Sequence, residues 1–406
     1  MKTNFLTLLS LTLLLSVSSC TIDINERTGD GETISTPGTT TGVLPEGGKL
    51  SGDITKDLTV KKGNYVLEGI VKVADGATLT IEPGATFTVS TNVSSSLVVL
   101  QGGKILAIGS AAEPIVFSTT AKVAGGWGGI TVYGRAPIKA VNGNATAVSE
   151  DGNALTYGGT DANSSSGILK FVRVEYAGKK IGDGTSETNT FTFYSVGDGT
   201  ILENLVAYKG TDDGFEFFGG TVSARNIVSY GNFDDAFDWQ DAWKGQNNSN
   251  WFAFQTVTGN FGMEIEASGN TDNTAPKISN ITLIRDANTN PEVAGSTEIS
   301  AIQFKKQGSG IFSNVYVSGY KNLGGKNAYA VLIQDDATNN SQVNTTPSKV
   351  VVSPLNYVNS DNLGVWGYAA TNGGATFTNA ATVTKVSLPT GAWATVDGVD
   401  LLTALK

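Results

Sequence analysis

The sequence predicts an all-β chain wound into a right-handed parallel β-helix, a solenoid with projecting loops and a terminal cap. Three observations carry that prediction. The chain is rich in glycine, with 50 among 406 residues, and shows no convincing helical period before its last few residues. Short runs alternate apolar and polar positions, as strands with one buried face do. Most tellingly, ILENLVAYKGTDDGFEFFGGTV at 201–222 is followed by SARNIVSYGNFDDAFDWQDAWK from 223, with matching residue types at an offset of 22.

In that repeat Asn204 matches Asn226, Leu205 matches Ile227 and Tyr208 matches Tyr230. Asp212 and Asp213 match Asp234 and Asp235, while Phe215 and Phe217 match Phe237 and Trp239. A fixed period of this length is the mark of stacked supersecondary units. The second half of each unit forms a column of apolar-x-apolar triplets: 191–193, 215–217, 237–239, 252–254, 263–265, 302–304 and 331–333. A companion column holds Leu205/Ala207, Ile227/Ser229, Ile281/Leu283 and Val315/Val317. Alternation sends the flanking members of each triplet inward and the middle member outward. Trp239 falls at an inward position. Some twelve turns at the sheet spacing give a rod of roughly 60 Å, and parallel crossovers set its hand. A β-sandwich would explain the strands but not the repeated residue types at one offset.

The elements follow in order. Residues 1–19, MKTNFLTLLSLTLLLSVSS, have a basic start, an apolar run and small residues before Cys20, the order of a secretory signal peptide. Residues 20–46 have few large apolar side chains and much Gly, Thr and Pro, as a flexible tether does. The coil is expected over 47–350, with loops at 139–166, 178–190 and 285–298 projecting from its edges. Residues 351–406 are read as final coils and a cap, because a bare solenoid end exposes unpaired backbone and core. The segment GAWATVDGVDLLTALK is the candidate cap, with a helix begun at Val399.

Composition removes several functions. The net charge of −10, with no basic aromatic stripe, argues against nucleic acid as a partner. The absence of histidine rules out histidine metal sites and histidine general bases. A single cysteine cannot form a disulfide within the chain. Gly125-Gly126-Trp127-Gly128-Gly129 lacks the Lys-Ser/Thr ending and following helix of a phosphate loop, and reads instead as a tight turn around Trp127.

The segment Val17-Ser18-Ser19-Cys20 resembles the lipobox of bacterial lipoproteins. That resemblance implies lipidation at Cys20 and a membrane partner. Thr21 in place of an inner-membrane retention Asp implies the outer membrane, with the leaflet open. Residues about 60–345 resemble the right-handed parallel β-helix superfamily, which includes pectate lyases and adhesins. GGWGGITVYGRAPI, LKFVRVEYAG, TDDGFEFFGGT and FDDAFDW are similar to a group of uncharacterised secreted proteins common in Bacteroidota.

The chemistry-bearing candidates are acidic. Asp212, Asp213, Asp234 and Asp235 fall at the same corner of two successive coils, and Glu216 and Asp238 stack outward on the next strand, with Glu264 as a continuation. Like charges one sheet spacing apart repel unless solvated or bridged. Two readings stand: a Ca²⁺ site built from these oxygens, or turn-capping aspartates beside a solvated acidic ridge. Trp243 and Trp251 are candidates for stacking on a sugar ring, or for covering the edge of the coil. Two functions follow. One is an outer-membrane-anchored binding, adhesion or structural module for a glycan or an envelope protein. The other is a calcium-dependent polysaccharide lyase or related carbohydrate-active enzyme centred on 209–244. The resemblance to β-helix lyases implies an Arg or Lys base, for which Arg173, Arg225 and Lys244 are the candidates; carboxylate acid/base chemistry needs none.

Overall fold

The computed structural model describes residues 42–181, 186–291, 298–323, 327–362 and 379–406. The signal segment, Cys20 and all but the last few residues of the expected tether lie outside the described residues. Two large sheets dominate, one of ten strands and one of sixteen, and their strand pairings are parallel throughout. The chain visits the ten-stranded sheet once per coil and then crosses the wide sheet twice, giving three faces rather than the two columns read from the sequence. The ten strands of the first face span nine spacings, or ~43 Å, shorter than expected.

The offset of 22 does what stacking requires. Phe215 pairs with Phe237 and Leu205 with Ile227. The Phe215 and Phe237 rings stack at 5.8 Å, and Phe191 continues the stack at 5.0 Å from Phe215. These residues share one core running the length of the coil, so the sandwich alternative fails. Trp239 is buried in it, as expected. The sheet begins at Gly42–Leu44, inside the segment assigned to the tether, because those residues pair with Leu58–Val60.

The corner between the second and third faces is made inside single long strands by left-handed residues. Asn204, Asn226, Asn250, Asn280 and Asn314 all have φ between 54° and 60°. Asparagine tolerates that conformation better than other residues with a Cβ. Their side-chain amides form a ladder, each Nδ2 donating to Oδ1 of the preceding coil at 3.0, 2.8, 2.9 and 3.1 Å. The repeat noted in the sequence at Asn204 and Asn226 is thus a bend with its own hydrogen-bond stack. Phe171 holds the equivalent bend one coil earlier, with φ 51°.

Three expectations are corrected. The triplet 252–254 belongs to the wide sheet, where Trp251 and Ala253 pair with Ile227 and Ser229 and point inward. Phe252 therefore faces out, yet is buried. It is covered by the second correction: GAWATVDGVDLLTALK is no end cap. Residues 386–405 run back along the outside of the third face, packing Trp393, Leu401 and Leu402 on Val206, Val228 and Phe252. Val386 N donates to Thr282 Oγ1 at 2.8 Å, and Trp393 N to Ala111 O at 3.2 Å. Apolar outward residues on that face require such a cover. In place of a terminal helix there is a strand pair, Thr395–Val396 with Val399–Asp400, and a single turn at Thr403–Leu405. Residues 350–358 continue the coil, and its last edges meet residues 361–362 and 379–380 through Ala330 N to Asp361 O and Ala380 N to Leu355 O. Third, a short helical segment at 336–343 was not read from the sequence.

Candidate functional site

Strand alternation on the first face places the middle residue of each triplet on its outer side. Thr131, Thr192, Glu216, Asp238, Glu264 and Gln303 stand in register, each opposite the next. The turn that feeds each strand carries the aspartate pairs. Asp213 accepts the Asp235 backbone N–H at 2.9 Å, and Asp235 accepts that of Phe261 at 2.6 Å. Asp213 and Asp235 thus each cap the turn of the following coil with one oxygen.

The structure brings all six acidic candidates together with Glu264. Carboxylate oxygens of Asp212, Asp213 and Asp234 lie within 4.8 Å of one another, as do those of Asp213, Glu216 and Asp238, and those of Asp235, Asp238 and Glu264. The ridge is not solvated. Asp213, Glu216, Asp235 and Asp238 are 2–9 % exposed. The insertion at 139–166 is one reason. Its antiparallel hairpin, Ala147–Val148 with Thr156–Tyr157, folds over the outer side of the first face. Tyr157 packs on Tyr194 at 4.7 Å and its hydroxyl bonds Asp241, while Glu150 N donates to the Tyr194 hydroxyl at 3.1 Å.

Burial raises the pKa of all four carboxyls well above the usual range, and their neighbours add to it. The added repulsion comes first from Asp212 on Asp213, Asp238 on Glu216, Asp234 on Asp235 and Glu264 on Asp238. Glu150 and Asp241 are pushed up by burial as well. Compensation is limited. Lys305 pairs with Glu264 at 2.5 Å and reaches Glu266 at 3.7 Å, and Lys306 pairs with Glu266 at 2.7 Å. Burial alone would lower the Lys305 pKa, but Glu264 and Asp238 override it and keep the ammonium charged beyond the usual lysine range. Asn189 and Gln240 donate to Glu216, the latter at 3.1 Å. Asp238 Oδ1 is buried without a hydrogen-bond partner among the described residues.

Buried carboxylates without full compensation call for a cation or a proton. The donor set is all oxygen, which suits hard divalent ions such as Ca²⁺ and Mg²⁺ rather than soft ones. The buried, unpartnered Asp238 Oδ1 is what such an ion would satisfy. Asp238 belongs to two triads and would hold it either with Asp213 and Glu216 or with Asp235 and Glu264.

The other candidates lie elsewhere. Trp243 and Trp251 are not ligand-stacking residues. Both are buried in the core, and their indole N–H groups donate to Val222 O and Ala224 O at 3.0 Å each. Arg173 is on the third face, bound to Glu175 and to the carbonyl of Ala392. Arg225 is on the second face, opposite Glu203 and Ser249. Lys244 lines a surface hollow with Asp198 and Thr221. The glycine run does enclose Trp127, which is fully buried. A Cβ at Gly129, where φ is +68°, would meet Asn189 O at 2.3 Å. Sequence reasoning missed Glu266, Lys305, Gln240, Asn189 and Glu150, several of which come from insertions or coils where the period of 22 is broken.

The first face, with its stacked triplets and parallel register, has a counterpart among known families. A model described as a pectate-lyase like beta helix domain matches residues 52–394. The chain belongs to that family. The pectate-lyase-like β-helix is right-handed, so the expected hand holds. No curated protein and no solved structure matched the chain. Family membership accounts for the coil, while the acidic cluster and its hairpin cover are read from this chain's own residues.

Proposed function

We propose that this pectate-lyase-like β-helix is a divalent-cation-dependent, carbohydrate-active protein of the bacterial envelope, with Ca²⁺ seated at Asp238 and an acidic glycan as its ligand. The observation that carries the reading is the buried carboxylate cluster in which one Asp238 oxygen has no partner. Asp213, Glu216 and Asp238 hold the ion, Asn189 and Gln240 orient Glu216, and Lys305 pairs with Glu264 on the next coil. A bound Ca²⁺ supplies positive charge that pairs with a uronate carboxylate. Their raised pKa suits these carboxyls to hold a proton where no cation is bound. The lipid expected on Cys20 would keep the body at the outer membrane.

Calcium titration of the soluble body (residues 21–406) by calorimetry tests the reading, followed by a polyuronate panel scored for binding, unsaturated product and new reducing ends. Saturable uptake that weakens at least ~10-fold in D238N is expected, since an ion loses one charged ligand. Equal uptake by the variant overturns the cation site. Fractionation of a C20S chain tests the anchor, and undiminished membrane attachment would remove it.

A non-catalytic binding module is the second reading, and one observation favours it. No lysine or arginine proposed as a lyase base sits at the cluster, and Lys305 is held charged. Calcium-dependent glycan binding without either product would select it.

A further inference from the structure

Away from the acidic cluster, the outer side of the second face carries a hollow of opposite charge. Arg225 and Lys277 stand at its walls, Ser249, Ser279 and Ser313 form its floor, and none of its lining residues is acidic. Register fixes this arrangement. Arg225 is opposite Ser249, Ser249 opposite Ser279, and Ser279 opposite Ser313, one coil after another. Lys277 precedes Ser279 by two positions, so alternation brings it to the same side. The Cα atoms of Arg225 and Lys277 are then ~12 Å apart, two sheet spacings across and two residues along. Two long side chains leaning inward from that distance reach one small group between them.

Both cations are uncommitted. Arg225 donates its Nε–H to Asn247 O at 3.2 Å, which orients the guanidinium and leaves its Nη donors without a partner among the described residues. Lys277 makes no ion pair among those residues. Glu203, the carboxylate opposite Arg225 on the preceding coil, pairs with Lys170 at 3.0 Å. At physiological salt, charges more than ~8 Å away are largely screened. A local pair of cations can therefore attract an anion even to a chain of net charge −10.

Forked N–H donors, an ammonium and several hydroxyls around one space are the donor set for a tetrahedral oxyanion. A phosphate monoester carries about −1.5 to −2 at neutral pH, which balances two cations better than one carboxylate does. The hollow measures about 380 Å³. A bare phosphate leaves most of it empty, so room remains for the group that bears it. We infer that this hollow binds the phosphate monoester of a larger molecule, with the Arg225 fork on two oxygens and Lys277 on a third. The site lies on a different face from the acidic cluster and needs no divalent ion.

The test uses the soluble body (residues 21–406) in EDTA, so that the acidic cluster takes no part. Phenyl phosphate binding is followed by saturation-transfer NMR, and co-sedimentation is scored with phosphatidylcholine vesicles made with and without phosphatidic acid. Saturable phenyl phosphate binding is expected, weakened ~10-fold or more in R225A and in K277A. R225K keeps the charge but loses the fork, and should fall short of the wild type. K244A removes a cation from a separate hollow and should bind as the wild type does. Thermal melts check that these surface substitutions leave the fold intact. Sedimentation with phosphatidic acid, lost in R225A and K277A, would identify a lipid headgroup as the source of the phosphate. Phenyl phosphate binding without it would identify a soluble phosphoester. Absence of saturable phenyl phosphate binding, equal binding by R225K, or an equal loss in K244A overturns the site.

Discussion

Replacing Asp238 by Asn perturbs the acidic cluster at its centre. The residue is 9 % exposed, and its oxygens lie within 4.8 Å of those of Glu216 and of Glu264. Burial and then Glu264 raise its pKa well above the ordinary 3.8. A carboxyl raised in the fold holds its proton more tightly folded than unfolded. Its contribution to stability is therefore full below about pH 4 and is lost as pH rises toward the folded pKa. Each unit removes about 1.4 kcal/mol, so one such group lowers stability by at most ~4 kcal/mol at pH 7. Direct repulsion is of the same order, ~3.5 kcal/mol for two unit charges 4.8 Å apart at an effective dielectric of about 20. With an unfolding entropy of about 2.1 cal/mol/K per residue over roughly 360 residues, ~4 kcal/mol corresponds to ~5 °C in Tm. In EDTA, D238N should therefore melt above the wild type by up to ~5 °C at pH 7, with the gap closing toward pH 4. Millimolar calcium should raise the wild type more than the variant. The difference between the two proteins is the informative quantity, because a net charge of −10 lowers stability with rising pH in both. A gap that does not change with pH, or equal gains from calcium, would refute the reasoning.

Three further outcomes follow from the fold. Asn250→Ala should lower stability by about 2–3 kcal/mol, through left-handed strain and the loss of the donor to Asn226. Asn250→Gly should lower it less, and equal urea midpoints for the two would show that strain at the bend is unimportant. Phe237→Ala, at a fully buried ring between Phe215 and Trp251, should cost about 3–5 kcal/mol by urea titration. Deleting residues 386–406 should expose Val206, Val228 and Phe252, raising dye binding and lowering Tm while far-UV circular dichroism keeps its β signature.

What could be read in advance depended on how local the cause was. Stacking of Phe215 on Phe237 follows from the period alone, because residues one coil apart are neighbours whatever surrounds them. The triplet 252–254 shows where that logic stops. Its alternation is symmetrical, with apolar residues on both sides, and only the segment at 386–405 decides that Phe252 may face outward and still be buried. Glu216 and Asp238 stand on the outer side as alternation requires, but buried, not on the solvated ridge that one of the two sequence readings gives them. The hairpin that helps cover them comes from an insertion outside the repeat. Trp243 follows a strand and so looked like a loop residue, whereas the chain there turns back and inserts the indole beneath Phe217 at 4.6 Å. The glycine run around Trp127, by contrast, reads as a tight turn from the sequence alone, whereas its close approach to Asn189 comes from a coil the run does not contain.

The returning C-terminal segment changes how the coil can come apart. In a stack where each coil touches only its neighbours, fraying from one end need not disturb the middle. Here one stretch of chain is fastened both at Thr282 and at Ala111, five sheet spacings or ~24 Å apart. Peeling it away strips the cover from every coil between those points at once. The segment therefore works as a lashing along the rod, turning a series of small nearest-neighbour losses into one concerted event, and a pull on the C-terminus would meet its resistance before any coil unwound.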